Sequence, residues 1–423
     1  MPELKIPLSS DEAFWWKICK PAISGLMGHA DTYTPAERDN NLKFFAQTVT
    51  PLLGPQPTSQ ITSDASPLDV ASPVEASLNF SSNSKPIVRF QFEPLSATVG
   101  AHTDADPFGQ TRVRAVLAHA ENQAVGVDLQ WANQFIKAFF PIDPAEIARV
   151  KAKEQTLPFP LDHALTFSLA FDLDGDRRKM KAYFFPMAKS LATGETAEFL
   201  TWKTIRSLDP YGADLTPTVN MLDDYFKVCP DTMTIDMIGV DCAEPSKARI
   251  KVYAHLQTMN SWNTVHHVCT FGGQAQDETR LQGLEILHSI YHLLYDEQEV
   301  QDDDDFNKPM RLSSSFLGSV MFSFEMISGC EFPEVKTYVP LWQYGTSDGQ
   351  IAQNLSAVFR KLGWNTAADN YLPKLKACFP GAELDGPSSL HSNVSFAYSR
   401  KTGAYMTVYY AVNGKSVCAS KQG

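Results

Sequence analysis

The chain has 423 residues, 43% hydrophobic and 11% aromatic, which is enough for a large packed core. A formal net charge of -12 and a pI near 5.3 exclude a general nucleic-acid surface or an anionic membrane as partner. Seven scattered cysteines with no CxxC pair point to reduced thiols in a cytoplasmic protein, and neither a secretory leader core nor an 18-residue apolar run is present.

In chain order, "SSDEAFWWKICKPAISGLM" opens with Ser and acidic residues suited to a helix start. "TPAERDNNLKFFAQTVTPLLG" follows with Thr34 ahead of Pro35, again a helix start. Residues 55–74 are rich in Pro, Ser and Thr and read as a loop. Further helices are predicted near 127–140, 216–228, 276–296, 348–362 and 366–377. The clearest is "DETRLQGLEILHSIYHLL", with an apolar stripe at helical spacing.

Between the helices, strands come in pairs. "EASLNF" precedes "IVRFQFE"; "LTFSLAFD" precedes "MKAYFFP"; "MTIDMIGVD" precedes "ARIKVYAH"; "GSVMFSFEM" precedes "VKTYVPLW"; "NVSFAYS" precedes "AYMTVYYA". A strand sends alternate side chains to opposite faces. In the second strand of each pair, one parity holds cations and phenols: Arg89; Lys181 and Tyr183; Arg249, Lys251 and Tyr253; Lys336 and Tyr338; Tyr405 and Tyr409. The other parity is apolar. Five such hairpins predict an α+β fold in one domain spanning 1–423: a ten-stranded antiparallel β-barrel inside a ring of α-helices. The apolar parity packs on the helices and the polar parity faces the lumen, where ten strands leave room for a ligand.

Five cations in one enclosed space need anionic company, since unpaired buried charge is costly. The strands offer few inward carboxylates, so the expected partner is a ligand such as a diphosphate, which suits Arg forks and Lys point charges. The tyrosine faces attract cations and exclude water. Together these groups suit ionisation of an allylic diphosphate. Glu75, on the strand beside Arg89, is placed to hold an acceptor N–H or O–H and later take a proton.

"EASLNF…IVRFQFEP", "DADPFG", "KAYFFP", "ARIKVY" and "YMTVYY" resemble the fungal aromatic prenyltransferases of the dimethylallyl tryptophan synthase family, over nearly the whole chain. The resemblance implies a barrel of repeated α-β-β-α units with the site in its lumen. It implies an acceptor-facing Glu75, and diphosphate contacts from Arg89, Lys181, Arg249, Lys251 and Tyr405; Lys336 departs from it, standing where some tryptophan-specific relatives have glutamine, and as a lumen cation is expected to join the diphosphate contacts. It also implies a carbocation shield of Tyr183, Tyr253, Tyr338 and Tyr409. The partners it implies are dimethylallyl diphosphate and a small aromatic acceptor, with no metal site and no cofactor; a homodimer is left open. Ser168 stands where tryptophan C4-prenylating relatives carry a lysine, which argues against that reaction. The acceptor alternatives are an indole, a tryptophan-containing cyclic dipeptide or related alkaloid precursor, or a non-indole phenolic such as tyrosine, a polyketide or a flavonoid-like compound. A non-catalytic isoprenoid-binding barrel is the remaining alternative.

Two acidic runs are expected to be structural. "QDDDDFNKP" has Phe306 where the last Asp of a DDxxD metal motif would stand, and "FDLDGDRRK" is too short for a calcium loop and fits a hairpin turn. His266 and His267 lack partners at metal spacing.

Overall fold

A computed structural model describes residues 7–56, 74–94, 108–153, 166–297, 303–311, 319–386 and 390–412. The first helix, Ser10–Ala30, starts at a reciprocal capping box of Ser9 and Glu12, and the second, Pro35–Phe44, at one of Thr34 and Glu37. The strongly periodic segments fold as Gln130–Phe139, Gly212–Phe226, Glu278–Leu294, Asp348–Lys361 and Asn365–Cys378.

The strands are β1 (Val74–Ser81), β2 (Val88–Phe92), β3 (Phe167–Asp174), β4 (Arg177–Phe184), β5 (Met233–Asp241), β6 (Ile250–Leu256), β7 (Met321–Met326), β8 (Glu334–Pro340), β9 (His391–Ser399) and β10 (Gly403–Ala411). Each pairs antiparallel with its sequence neighbours, and β1 pairs with β10 to close the barrel. Closure leaves no free strand edge. The expected ten-stranded α+β barrel is therefore the observed fold.

The apolar parity faces the helices. Val88, Phe90, Phe92, Met180, Ala182, Phe184, Ile250, Val252, Met406 and Val408 are all buried. Aromatic contacts tie helices to strands: Phe45 to Phe90 at 5.0 Å, Phe135 to Phe184 at 5.4 Å, Phe226 to Phe324 at 5.8 Å and Phe359 to Phe80 at 4.5 Å between ring centroids. Each such side chain, fully buried, contributes about 1.5–3 kcal/mol. The outer face is thus a hydrophobic core, which leaves the polar parity only the lumen.

Short helices at Gln110–Leu117, Pro144–Lys153, Met187–Thr193, Ala197–Arg206 and Trp262–Cys269 were not expected. Segments this short carry little periodicity. The last two are announced mainly by a single capping side chain, Thr196 to the Phe199 N–H and Ser261 to the Thr264 N–H. Most of the loop expected at 55–74, and most of "DADPFG", lie outside the described residues.

"FDLDGDRRK" forms the β3–β4 turn, where Gly175 has φ +68° and Asp174 pairs with Lys179, Lys85 and Arg177. Asp304 and Asp305 of the acidic run lie on the outer helix layer, Asp304 3.4 Å from His288 and Asp305 2.9 Å from the Asn263 amide. Among the described residues, no helix is long and apolar enough to cross a membrane.

Candidate active site

Strand register assembles the lumen. Arg89 lies opposite Ser77 and Asp172, Lys181 opposite Asp241, Lys251 opposite Gly239 and Glu325, and Lys336 opposite Ser323. Arg89, Lys181, Arg249, Lys251 and Lys336, drawn from four hairpins, are thereby brought to one end of the chamber. Tyr405 joins them: its hydroxyl lies 2.8 Å from Arg89 Nη2 and its ring 4.9 Å from Lys336 Nζ.

The expectation of few inward carboxylates is corrected. Asp172 accepts Lys181 Nζ on both oxygens at 2.7 Å and lies 3.2 Å from Arg89 Nε. Asp241 holds Arg249 at 2.7 Å, and Glu325 holds Lys251 at 2.6 Å with Arg249 at 3.6 Å. Inward charge is expensive without partners, so three acids stand among the five bases. The sequence reading missed them because each sits on the first strand of a hairpin, at or near a turn, where an acid normally faces water. Burial pushes the Asp172 carboxyl up, but Lys181 and Arg89 outweigh it and hold it below its ordinary value. Glu325 is likewise lowered, by Lys251 and then Arg249, against its burial.

Among the described residues these five bases outnumber the three acids by two. Lys336 has no carboxylate partner among the described residues; its Nζ donates to Thr407 Oγ1 at 3.2 Å and lies 5.5 Å from the Tyr338 ring centroid. Burial, then the neighbouring Lys251, Arg89 and Lys181, lower its pKa well below the usual lysine value. A multiply charged anion entering here relieves that repulsion and restores the full charge on Lys336.

Above the cations, Tyr183, Tyr253, Tyr338 and Tyr409 form a continuous arc, each ring centroid 5.9 Å from the next. Burial raises all four phenols well above their ordinary pKa, so they stay neutral. Gly239 makes the arc possible: a Cβ there would stand 2.9 Å from Tyr183 Cε1 and 3.2 Å from Tyr253 Cε2. Gly239→Ala is therefore expected to displace both rings. A misplacement near 1 Å costs about 100-fold in rate. The check is a structure of the variant together with its turnover rate; unmoved rings and a wild-type rate would contradict the need for glycine there.

Glu75 lies beyond the arc, in register with Gln91 and Ala411, and accepts the Ser392 hydroxyl at 2.6 Å. Burial raises its pKa to about 7 against the opposing Ser392 hydrogen bond. The same end holds groups that the sequence reading did not assign. Gln91 donates to Ser168 Oγ at 2.8 Å. Glu93 continues the inward parity of β2, and burial raises it to about 8. His255 continues the inward parity of β6 and lies 2.8 Å from Asp236. Extending the alternation of "VRFQFE" and "KVYAH" by one step is the signal that finds Glu93 and His255.

A closed ten-strand barrel with a cation cluster at one end, an aromatic arc above it and a carboxyl beyond defines a barrel prenyltransferase. Residues 11–374 match the tryptophan dimethylallyltransferase family, and the chain belongs to it. The chain is an aromatic prenyltransferase by family, a transferase of alkyl groups. It is 42% identical to "O-glucose prenyltransferase PaPT" of Phomopsis amygdali over 97% of this chain and 91% of that one. It is 34% identical to "Indole diterpene prenyltransferase terF" of Tolypocladium album over 97% and 95%. The crystal structure of AnaPT from Neosartorya fischeri superposes with a TM-score of 0.81 at 26% identity, covering 96% of this chain and 95% of that one.

Proposed function

We propose that the enzyme transfers a dimethylallyl group from dimethylallyl diphosphate to an aromatic acceptor, an indole or related alkaloid precursor, held at the Glu75 end of the lumen. The observation that carries this reading is the five inward cations, two in excess over their carboxylates, facing a four-ring tyrosine arc. Arg89, Lys181, Arg249, Lys251, Lys336 and Tyr405 hold the diphosphate. As the C–O bond ionises, fixed positive charge stabilises the leaving group. Tyr183, Tyr253, Tyr338 and Tyr409 shield the allyl cation with their π faces, about 0.5–2 kcal/mol each. Glu75 orients the acceptor by its N–H or O–H, the acceptor atom bonds to the allyl carbon, and a base then takes the proton from that atom, which restores aromaticity where a ring carbon has attacked. A cytoplasmic setting belongs to the same reading and is supported by the six described cysteines, all free.

A second reading of the acceptor, with a hydroxyl oxygen as nucleophile, is favoured by the polar groups on the strands beside Glu75: Ser392, Gln91, Ser168 and Glu93. PaPT, the relative at 42% identity, is named for O-glucose prenylation.

The test is mass spectrometry of reactions with dimethylallyl diphosphate in EDTA and a panel of tryptophan, tryptophan-containing cyclic dipeptides, tyrosine, polyphenols and glucosides. A gain of one C5H8 unit is expected. No product with any acceptor, from protein that binds no donor analogue, would sink the proposal.

A further inference from the structure

The two ends of the lumen carry opposite imbalances. At the cation end every carboxylate has a base: Asp172 has Lys181 and Arg89, Asp241 has Arg249, and Glu325 has Lys251. At the other end two carboxyls have none. Glu75 accepts the Ser392 hydroxyl at 2.6 Å, and Glu93 enters no hydrogen bond or ion pair among the described residues. Glu93 follows Phe92 at the end of β2, where the alternation Arg89, Gln91, Glu93 turns it to the lumen. Glu75 lies opposite Gln91, so Glu93 is its diagonal neighbour, at a spacing of about 7–8 Å. The β2–β3 register, with Phe92 opposite Leu169, continues to put Glu93 beside Ser168. Ser168 Oγ already takes the Gln91 amide at 2.8 Å, so those two polar neighbours satisfy each other. Burial raises Glu75 to about 7 and Glu93 to about 8, and no base holds either down. The internal segments outside the described residues, 57–73, 95–107, 154–165, 298–302, 312–318 and 387–389, contain no lysine or arginine. Unpaired carboxyls in an enclosed chamber are costly, as unpaired cations are. The ligand group that relieves them is a cation.

We propose that the acceptor is an arylalkylamine without a carboxylate, that Glu75 takes its ring N–H, and that Glu93 takes its ammonium group. The inference rests on the prenyl-transfer function above and names the acceptor class of its indole form. The ammonium takes no part in bond formation. It anchors the acceptor with its positive charge away from the five bases, and Glu93 ionises as the ion pair forms. The spacing of the two carboxyls lets one molecule present two different donors to them. A carboxylate on the acceptor side chain, as in tryptophan, would face two acids and no base at this end.

The probes are tryptamine, its neutral isostere 3-propylindole, and tryptophan, each supplied with dimethylallyl diphosphate in EDTA and read by mass spectrometry for the gain of C5H8. Wild-type kcat/KM is expected to favour tryptamine over each of the other two by about 10- to 100-fold, the worth of one charge-assisted hydrogen bond. Glu93→Gln keeps the shape and removes the charge. Its preference for tryptamine over 3-propylindole is expected to vanish, chiefly through KM for the amine; a merely structural role would slow both acceptors alike. Glu93→Asp, which keeps the charge, is expected to keep a preference for the amine. Should Glu93→Gln fail to fold, Glu93→Ala is measured in its place with the same expectation. Wild-type enzyme that uses 3-propylindole or tryptophan as well as tryptamine overturns this inference and leaves prenyl transfer standing. So does wild-type enzyme that binds the thiolo analogue of dimethylallyl diphosphate but prenylates none of the three. An undiminished preference for the amine in Glu93→Gln overturns the role of Glu93. Absence of both product and analogue binding overturns the transfer function itself, and this inference with it.

Discussion

Asp172→Asn is expected to lower the melting temperature sharply and to make it unusually responsive to inorganic pyrophosphate. Asp172 is the common partner of Lys181 and Arg89, with side chains only 12, 17 and 22% exposed. The amide keeps the shape and removes the charge, leaving two cations facing each other. Breaking a buried pair costs about 3–5 kcal/mol, and partial exposure here reduces that to about 2–3 kcal/mol. The sign with pH follows from a carboxyl lowered below its ordinary 3.8: its contribution is complete above about pH 4 and is lost as the pH falls further. The loss in Asp172→Asn is therefore fully visible at pH 7. Pyrophosphate binds the native state and supplies the missing charge, so it should raise the melting temperature more in the variant than in the wild type. Equal melting temperatures and equal pyrophosphate shifts would contradict the pairing.

Glu75→Gln is expected to lower kcat by about 100- to 1,000-fold and to remove a pH limb. The Glu75 carboxyl is raised from 4.5 to about 7 by burial. If its ionised form holds the acceptor and takes the proton, kcat/KM rises with pH through about 7 in the wild type and is flat there in the variant. Stability moves the other way. A group with a raised folded-state pKa contributes fully below 4.5, and that contribution is lost as the pH rises through about 7. The variant should lose this slope as well. A pH–rate profile and melting series on both proteins check the two signs together; a wild-type limb retained in Glu75→Gln assigns it to another group.

The barrel was legible because period-two alternation is unambiguous when one face must meet helices. Val88 and Phe90 against Arg89, or Ile250 and Val252 against Lys251, leave a single way to orient the strand. The cation and phenol positions follow from the same parity. What alternation could not show is who faces whom across the barrel. Asp172, Asp241 and Glu325 have the inward parity of their own strands, yet only register places Asp172 opposite Arg89 and Glu325 opposite Lys251. The contact between Asp236 and His255 was hidden for a related reason: a β-bulge breaks the alternation of β5 just where Asp236 meets His255. Gly239 is another case, since its need to be glycine arises from two rings on neighbouring strands.

The central claim is that side-chain cations hold the donor diphosphate in this lumen. Calorimetric titration of the thiolo analogue of dimethylallyl diphosphate, in EDTA, tests it most directly, with Lys181→Met/Lys251→Met as the comparison. Charge-assisted hydrogen bonds contribute about 1.5–3 kcal/mol each, so the account predicts one molecule bound per wild-type chain and affinity at least about 100-fold weaker in the double variant. Equal affinity in the double variant, or wild-type binding only after magnesium is added, would contradict it.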